Sequence, residues 1–200
     1  MPTTGYITPS QFKKIMTTSR GGTGFGQVAL SYADEIVLDI LGVEKPETFA
    51  HALQHGIENE SLAIDRYQEE TLNTVLPVDN PIPHSFYDFI CGSPDGLIGY
   101  DGLIEIKCPY NSINHLQNYR SLTDQPISSP NDSQIEDYWW QIQGYLWITD
   151  RSYCDFVSYD PRFPYSKQIA IQRVLRNNSD IDKLSEKCLL FWDIVQSRLI

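Results

Sequence analysis

A mixed α/β domain, with a central sheet flanked by helices, is the fold class this chain predicts. Segments with helical period alternate with short runs of strand-forming residues: helices first, then a meander of strands, a helix, two strands and a closing helix. The 200 residues are 41% hydrophobic and 12% aromatic, enough for a sizeable core and too apolar for a disordered chain. No internal repeat or clear second domain interrupts the pattern, so residues 1–200 read as a single domain.

Thr8-Pro9-Ser10-Gln11 has the order of a capping box, with Thr as N-cap, Pro at the first helical position and Gln at the third. A helix through Phe12, Ile15 and Met16 is expected to follow. Gly21-Gly22-Thr23-Gly24-Phe25-Gly26 lacks the Gly-Lys-Ser/Thr ending of a P-loop and reads as a plain loop. A second helix is predicted from about Val28 to Leu41, ending near Gly42. In a third, Leu53, Ile57, Glu60, Ile64 and Tyr67 recur at helical spacing, which sets Glu60 on an apolar stripe. A carboxylate facing a core is costly unless paired or bound to a metal. The alternative is a stripe-edge glutamate that reaches solvent or an arginine.

Residues 86–91, 96–99 and 103–107 read as strands, with Asp101-Gly102 as a hairpin signal. The polar stretch from Ser112 to Asp132 reads as a long loop or a partly helical excursion, of the kind that guards sites. A helix is predicted from about Ile135 to Ile148. Its Tyr138, Gln141, Tyr145 and Ile148 share one stripe, which leaves the uncharged Gln141 on the buried side. Strands are expected at 153–159 and 168–174. A C-terminal helix opens at Ser179-Asp180-Ile181-Asp182, with Leu184, Cys188, Phe191 and Val195 inward.

The chemistry is concentrated in Ser93-Pro94-Asp95-Gly96 and Leu103-Ile104-Glu105-Ile106-Lys107. Alternate residues of a strand share a face, so Glu105 and Lys107 point one way and Ile104 and Ile106 the other. Asp95 sits at the turn ahead of them. Two acids and a lysine converging on one point make a divalent-metal site with a partner for water or a leaving group, the equipment of a metal-dependent phosphodiesterase. Taken singly, Asp95 also fits an ordinary turn before glycine, and Lys107 a snorkelling surface lysine.

The formal charge of −11 argues against a surface built broadly for nucleic acid, though acids gathered around metal ions are neutralised in a working site. Cys91, Cys108, Cys154 and Cys188 lack paired ligand spacing, which favours reduced, buried thiols over zinc or iron–sulfur ligation. No apolar stretch reaches about 18 residues, so no membrane helix is expected. Met1-Pro2-Thr3-Thr4-Gly5 has no secretion-signal pattern, and the cytoplasm (of the host cell, if the chain is phage-encoded) is the expected location.

With the hairpin, Glu60 and Gln141, the Asp95, Glu105 and Lys107 pattern resembles the PD-(D/E)XK nuclease core. Further motifs narrow the resemblance: Gly5-Tyr6-Ile7-Thr8-Pro9-Ser10, Gly56-x-x-x-Glu60, Ser93-Pro94-Asp95-Gly96-Leu97, Leu103 through Pro109, Gln141 through Thr149, and Tyr159-Asp160-Pro161-Arg162. In this order they resemble the YqaJ-type phage recombination exonucleases, the phage lambda exonuclease family. The resemblance implies a 5′→3′ exonuclease that digests one strand of linear duplex DNA and leaves a 3′ overhang for a single-strand annealing protein, working as a homotrimer around the DNA. It implies Mg2+, with Mn2+ as substitute, on Asp95, Glu105 and the Ile106 carbonyl. Glu60 completes the site or stands behind it, Lys107 acts on the water or on developing charge, and Gln141 orients Lys107 or the water. Ser10 and Ser93 match a region that binds the 5′-phosphate; capping or turn bonding is their alternative. The family carries an arginine just before its Gly-x-Ile-Thr segment, where this chain has Thr3-Thr4, and Arg20 is the candidate substitute. Two rival readings are an endonuclease of the same core, which a covalently closed circle discriminates, and a non-catalytic DNA-end-binding module.

Overall fold

The computed structural model describes residues 4–19, 24–43, 51–121, 125–130 and 135–199. A 3-10 turn at Pro9–Gln11 runs into α1 (Phe12–Met16). The start is where the capping pattern put it, but no side-chain cap forms; the Gln11 N–H bonds the Thr8 carbonyl instead, at 3.0 Å. α2 (Gln27–Ile40) stops before Gly42, whose φ of +70° is a left-handed conformation that glycine takes without strain.

α3 (His51–Thr71) corrects the predicted stripe. Among its described side chains, which do not include Leu53, the buried ones are Asn59, Ala63, Arg66 and Tyr67, while Ile57 is 60% exposed and Glu60 is half-buried. The core-facing stripe is therefore rotated from the one that maximises apolar residues. Arg66 belongs to it because its guanidinium pairs with Glu70 at 2.8 Å and lies over the Tyr165 ring.

Two short strands follow, β1 (Val75–Leu76) and β2 (Ile82–Pro83), then β3 (Cys91–Gly92), β4 (Gly96–Ile98) and β5 (Gly102–Lys107). The strand expected over 86–91 is confined to its end. His84 Nδ1 accepts the N–H groups of Phe86 and Tyr87, and Ile90 N–H bonds the Tyr87 carbonyl, so turn bonding takes the backbone groups that a ladder needs. β4 and β5 form the predicted hairpin, with the turn at Gly99 to Asp101 and Gly102 already paired to Ile98.

The polar stretch after β5 contains α4 (Ser112–Ser121), and α5 (Glu136–Thr149) comes next. Together they span the crossover that lets β6 (Tyr153–Tyr159) pair parallel to β5. β7 (Ile169–Leu175) pairs antiparallel to β6, and α6 (Asn178–Ser197) closes the fold, its first turn capped by the Asn177 side chain on Asp180 N–H. The sheet order is β1-β4-β5-β6-β7, with a separate β2-β3 pair.

The sheet is covered on both faces. Leu103 and Phe156 meet α5 through Trp139, Ile142 and Leu146. Ile104, Ile106 and Val157 meet α3 through Ala63 and Tyr67. α1, α2 and α6 make an adjoining core in which Leu184, Cys188, Phe191 and Val195 are fully buried, as expected. All four cysteines are free thiols. Among the described residues no helix is long and apolar enough to cross a membrane.

Candidate active site

Strand alternation sets the frame. Ile104 and Ile106 face α3, and Glu105 faces the opposite layer, 2% exposed. Lys107 Nζ reaches Glu105 Oε1 at 2.5 Å, so the two do share a face. From α5, Gln141 Nε2 donates to the same Oε1 at 2.7 Å and to the Tyr145 hydroxyl at 3.2 Å. Gln141 thus orients Glu105 directly, and Lys107 only through it.

Asp95 arrives by way of the hairpin. β4 pairs with β5 only as far as Gly96 opposite Ile104, which leaves the next stretch of the β5 edge open. Asp95 Oδ2 takes the Ile106 N–H there, at 2.5 Å. The carbonyl of a strand residue points to the same edge as its N–H, so the Ile106 carbonyl also turns toward Asp95 and away from β6.

The electrostatics are those of an acid pair short of positive charge. Burial, then the neighbouring Glu105 carboxylate, pushes the Asp95 carboxyl up to about 8, against the opposing Ile106 N–H and Lys107. Burial raises Glu105 as well, although Lys107 and Gln141 oppose it. Burial pulls the Lys107 ammonium down, but the Glu105 carboxylate more than reverses this, so the lysine is held protonated. Glu60 adds negative potential on both acids from α3. Burial and the Glu60 and Asp95 charges also push the Cys108 thiol up to about 12, so it is no nucleophile.

A divalent cation fits this donor set. Glu105 Oε2 is buried and has no hydrogen-bond partner, a costly state that a cation relieves. The donors are hard oxygens. Among the described residues, no three His, Cys, Asp or Glu side chains stand together as a ligand shell. The convergence therefore supplies two acids, Asp95 and Glu105, with Glu60 outside the cluster. Mg2+ commonly binds through one or two carboxylates and keeps several waters.

Ser10 and Ser93 are both exposed, on segments that run side by side: Ile7 bridges Ile90, and Cys91 N–H bonds the Ile7 carbonyl. Ser10 Oγ lies 3.3 Å from Thr8 Oγ1. Arg20 lies outside the described residues.

Sequence reasoning passed over two aromatic neighbours. The Tyr138 ring lies 5.2 Å from Lys107 Nζ and stacks on Phe156. The buried Tyr145 hydroxyl receives Gln141, and burial raises it well above the usual phenol range. Their signal was the shared stripe with Gln141. Further out, Arg162 is bidentate on the buried Asp160 and donates to the carbonyls of Pro109 and Tyr110, each at 3.0 Å, which pins the chain leaving Lys107.

The family model for the YqaJ-like viral recombinase domain matches residues 3–152. The alkaline exonuclease LHK-Exo from Laribacter hongkongensis is 30% identical, with a TM-score of 0.82 over 98% of this chain and 90% of its own. The same enzyme in complex with dAMP gives a TM-score of 0.83 at the same identity, over 98% and 91%. A phage related exonuclease from Haemophilus somnus 129PT is 19% identical, with a TM-score of 0.75 over 97% and 95%, a likeness of fold. No curated protein matches. The sheet flanked by helices is thus the predicted PD-(D/E)XK nuclease fold. Matched over three-quarters of its length by one family's model and over nearly all of it by an alkaline exonuclease, the chain belongs to the YqaJ-like viral recombinase family.

Proposed function

We propose that the protein is a metal-dependent 5′→3′ exonuclease that digests one strand of linear duplex DNA and leaves a 3′ overhang for a single-strand annealing protein. The observation that carries this reading is the pair of buried Glu105 and half-buried Asp95, with Lys107 and Gln141 directed at Glu105 and one unpartnered carboxylate oxygen among them. It stands in the fold of an alkaline exonuclease 30% identical over 98% of the chain, whose structure in complex with dAMP shows that enzyme taking a deoxynucleotide.

In this reading Asp95, Glu105 and the Ile106 carbonyl hold Mg2+, or Mn2+ in its place. The ion, when bound, acidifies a water and offsets charge on the phosphoryl oxygens. Gln141 fixes the Glu105 rotamer through Oε1, leaving Oε2 for the cation. Lys107, held as an ammonium, faces the charge that develops on the reacting phosphate. Glu60 deepens the negative potential that draws a divalent ion. Ser10 and Ser93 lie on adjacent segments where an end phosphate can be met by hydroxyls. The enzyme acts on DNA ends as a homotrimer in the cytoplasm, that of the host cell if the chain is phage-encoded.

Digestion of strand-labelled linear duplex, with and without a 5′-phosphate and with and without Mg2+, tests the reading. A covalently closed circle serves as control. Mononucleotide release from the 5′ ends that requires Mg2+ and spares the circle is expected. Cleavage of the circle makes the protein an endonuclease of the same core, and no cleavage of any substrate makes it an end-binding module.

A further inference from the structure

Beside the reaction centre, across Tyr138, lies a cavity of about 390 Å3 lined by Asn114, Gln117, Asn118, Glu136, Asp137 and Tyr138. Tyr138 is the shared wall: it stands one turn before Gln141 on α5, and its ring lies 5.2 Å from Lys107 Nζ. The opposite wall is α4, which is clamped to the sheet. His115 on α4 is fully buried, its Nδ1 3.0 Å from Ser158 Oγ and its Nε2 2.8 Å from the Lys167 carbonyl. Asn118 Nδ2 donates to the same Ser158 Oγ at 3.0 Å, and Ser158 is the register partner of Lys107. α4 is therefore fastened to β6 at Ser158, directly beside Lys107 of β5. On this anchored helix the Asn114 and Gln117 amides project toward the cavity, exposed and without a partner among the described residues.

The wall chemistry selects a ligand. A carboxamide carries both donors and an acceptor, and by rotating it meets the hydrogen-bonding edge of any base. Glu136 in the lining repels a phosphate, while Asp137 is paired with Lys13 and adds no net charge, so a nucleotide enters base first and leaves its phosphate on the Lys107 side. We propose that this cavity receives the base of the terminal nucleotide being released, and that Asn114 and Gln117 are its positioning contacts. The inference rests on the exonuclease reading above and deepens it. Two amides that fit every base suit an enzyme that must remove each nucleotide of a strand in turn.

Two measurements test it. In the first, a deoxynucleoside monophosphate and 2-deoxyribose 5-phosphate are titrated calorimetrically into the full chain. The nucleotide is expected to bind on the order of tenfold more tightly, an advantage supplied by base contacts and lost in the double variant N114A/Q117A. Equal affinities in the parent, or an unchanged advantage in the variant, overturn the proposal. In the second, linear duplexes ending in a normal or an abasic 5′ residue are digested. The parent is expected to prefer the base-bearing end in kcat/KM, and the variant to lose that preference; an unchanged preference overturns the proposal. A parent that binds nucleotide base-first but cleaves no DNA refutes the exonuclease reading and leaves the base pocket standing.

Discussion

Two desolvated carboxylates within each other's field oppose folding, and half-buried Asp95 and buried Glu105 are such a pair. In the metal-free protein Asp95 titrates at about 8, against an ordinary value of 3.8. The folded state therefore holds a proton between those pH values that the unfolded chain has released, and metal-free stability falls as pH rises from one to the other. Asp95→Asn removes the charge while its side-chain oxygen still accepts the Ile106 N–H. Denaturant unfolding in chelator should show it more stable than the parent by about 1 kcal/mol near neutral pH, with the pH slope flattened. The same variant should lose cleavage by roughly three decades or more. A variant both less stable and still active would remove Asp95 from the site. Lys107→Ala makes a separate prediction: cleavage is lost while Mn2+ binding by calorimetry persists, because an ammonium ligates no cation. Loss of metal binding would turn Lys107 into a structural member of the site.

At the scale of elements, the position of α5 decides whether Gln141 reaches Glu105. α5 packs on α1 through Gly144, where a Cβ would overlap the Phe12 ring. Alanine is the better helix former by about 1 kcal/mol. Gly144→Ala should nevertheless lower stability by about 2 kcal/mol in denaturant unfolding, with much of the loss recovered by Phe12→Leu. Additive effects of the two substitutions would deny the contact. The chain leaving β5 depends on Asp160. Burial pushes its carboxyl up, and hydrogen bonds from Arg162 and Ser112 more than reverse this, leaving it below its ordinary value of 3.8. Its contribution is present above that value and lost as pH falls through the lower folded one. The stability difference between parent and Asp160→Asn should therefore be constant above about pH 5 and shrink in more acidic solution. A difference that persisted undiminished below pH 3 would show that packing, not charge, holds that corner.

For the whole molecule, charge is the constraint. Fifteen Lys and Arg face 26 Asp and Glu, a net of −11, which leaves few cations for a broad DNA-binding surface on one subunit. In the proposed homotrimer a ring would concentrate those cations on an enclosed path, and release would then require the strand to unthread. Sedimentation or light scattering at micromolar protein should report a trimer. A monomer that still degrades long duplex processively against a trap would refute both the assembly and the enclosure argument.

Much of the site was legible in the sequence because periodicity is a local property. The two-residue repeat of a strand placed Glu105 and Lys107 on one face, and the hairpin brought Asp95 to the same strand edge. The helical repeat put Gln141 on the same stripe as Tyr138 and Tyr145. Period states which side chains share a face, not which distant segment that face meets. The reach of Gln141 across 36 residues to Glu105 depended on how α5 packs. On α3 the periodicity favoured a stripe containing Ile57, but Arg66, snorkelling over Tyr165, rotated the buried face and left Glu60 half-buried at its edge. The 86–90 segment is rich in strand formers, yet a single His84 ring captured its N–H groups. The polar residues of α4 carry no apolar signal; the helix is held by His115 and Ser158, a bond between partners 43 positions apart. Local repeats settled face and residue type, and only the packing of remote segments settled partners, burial and charge.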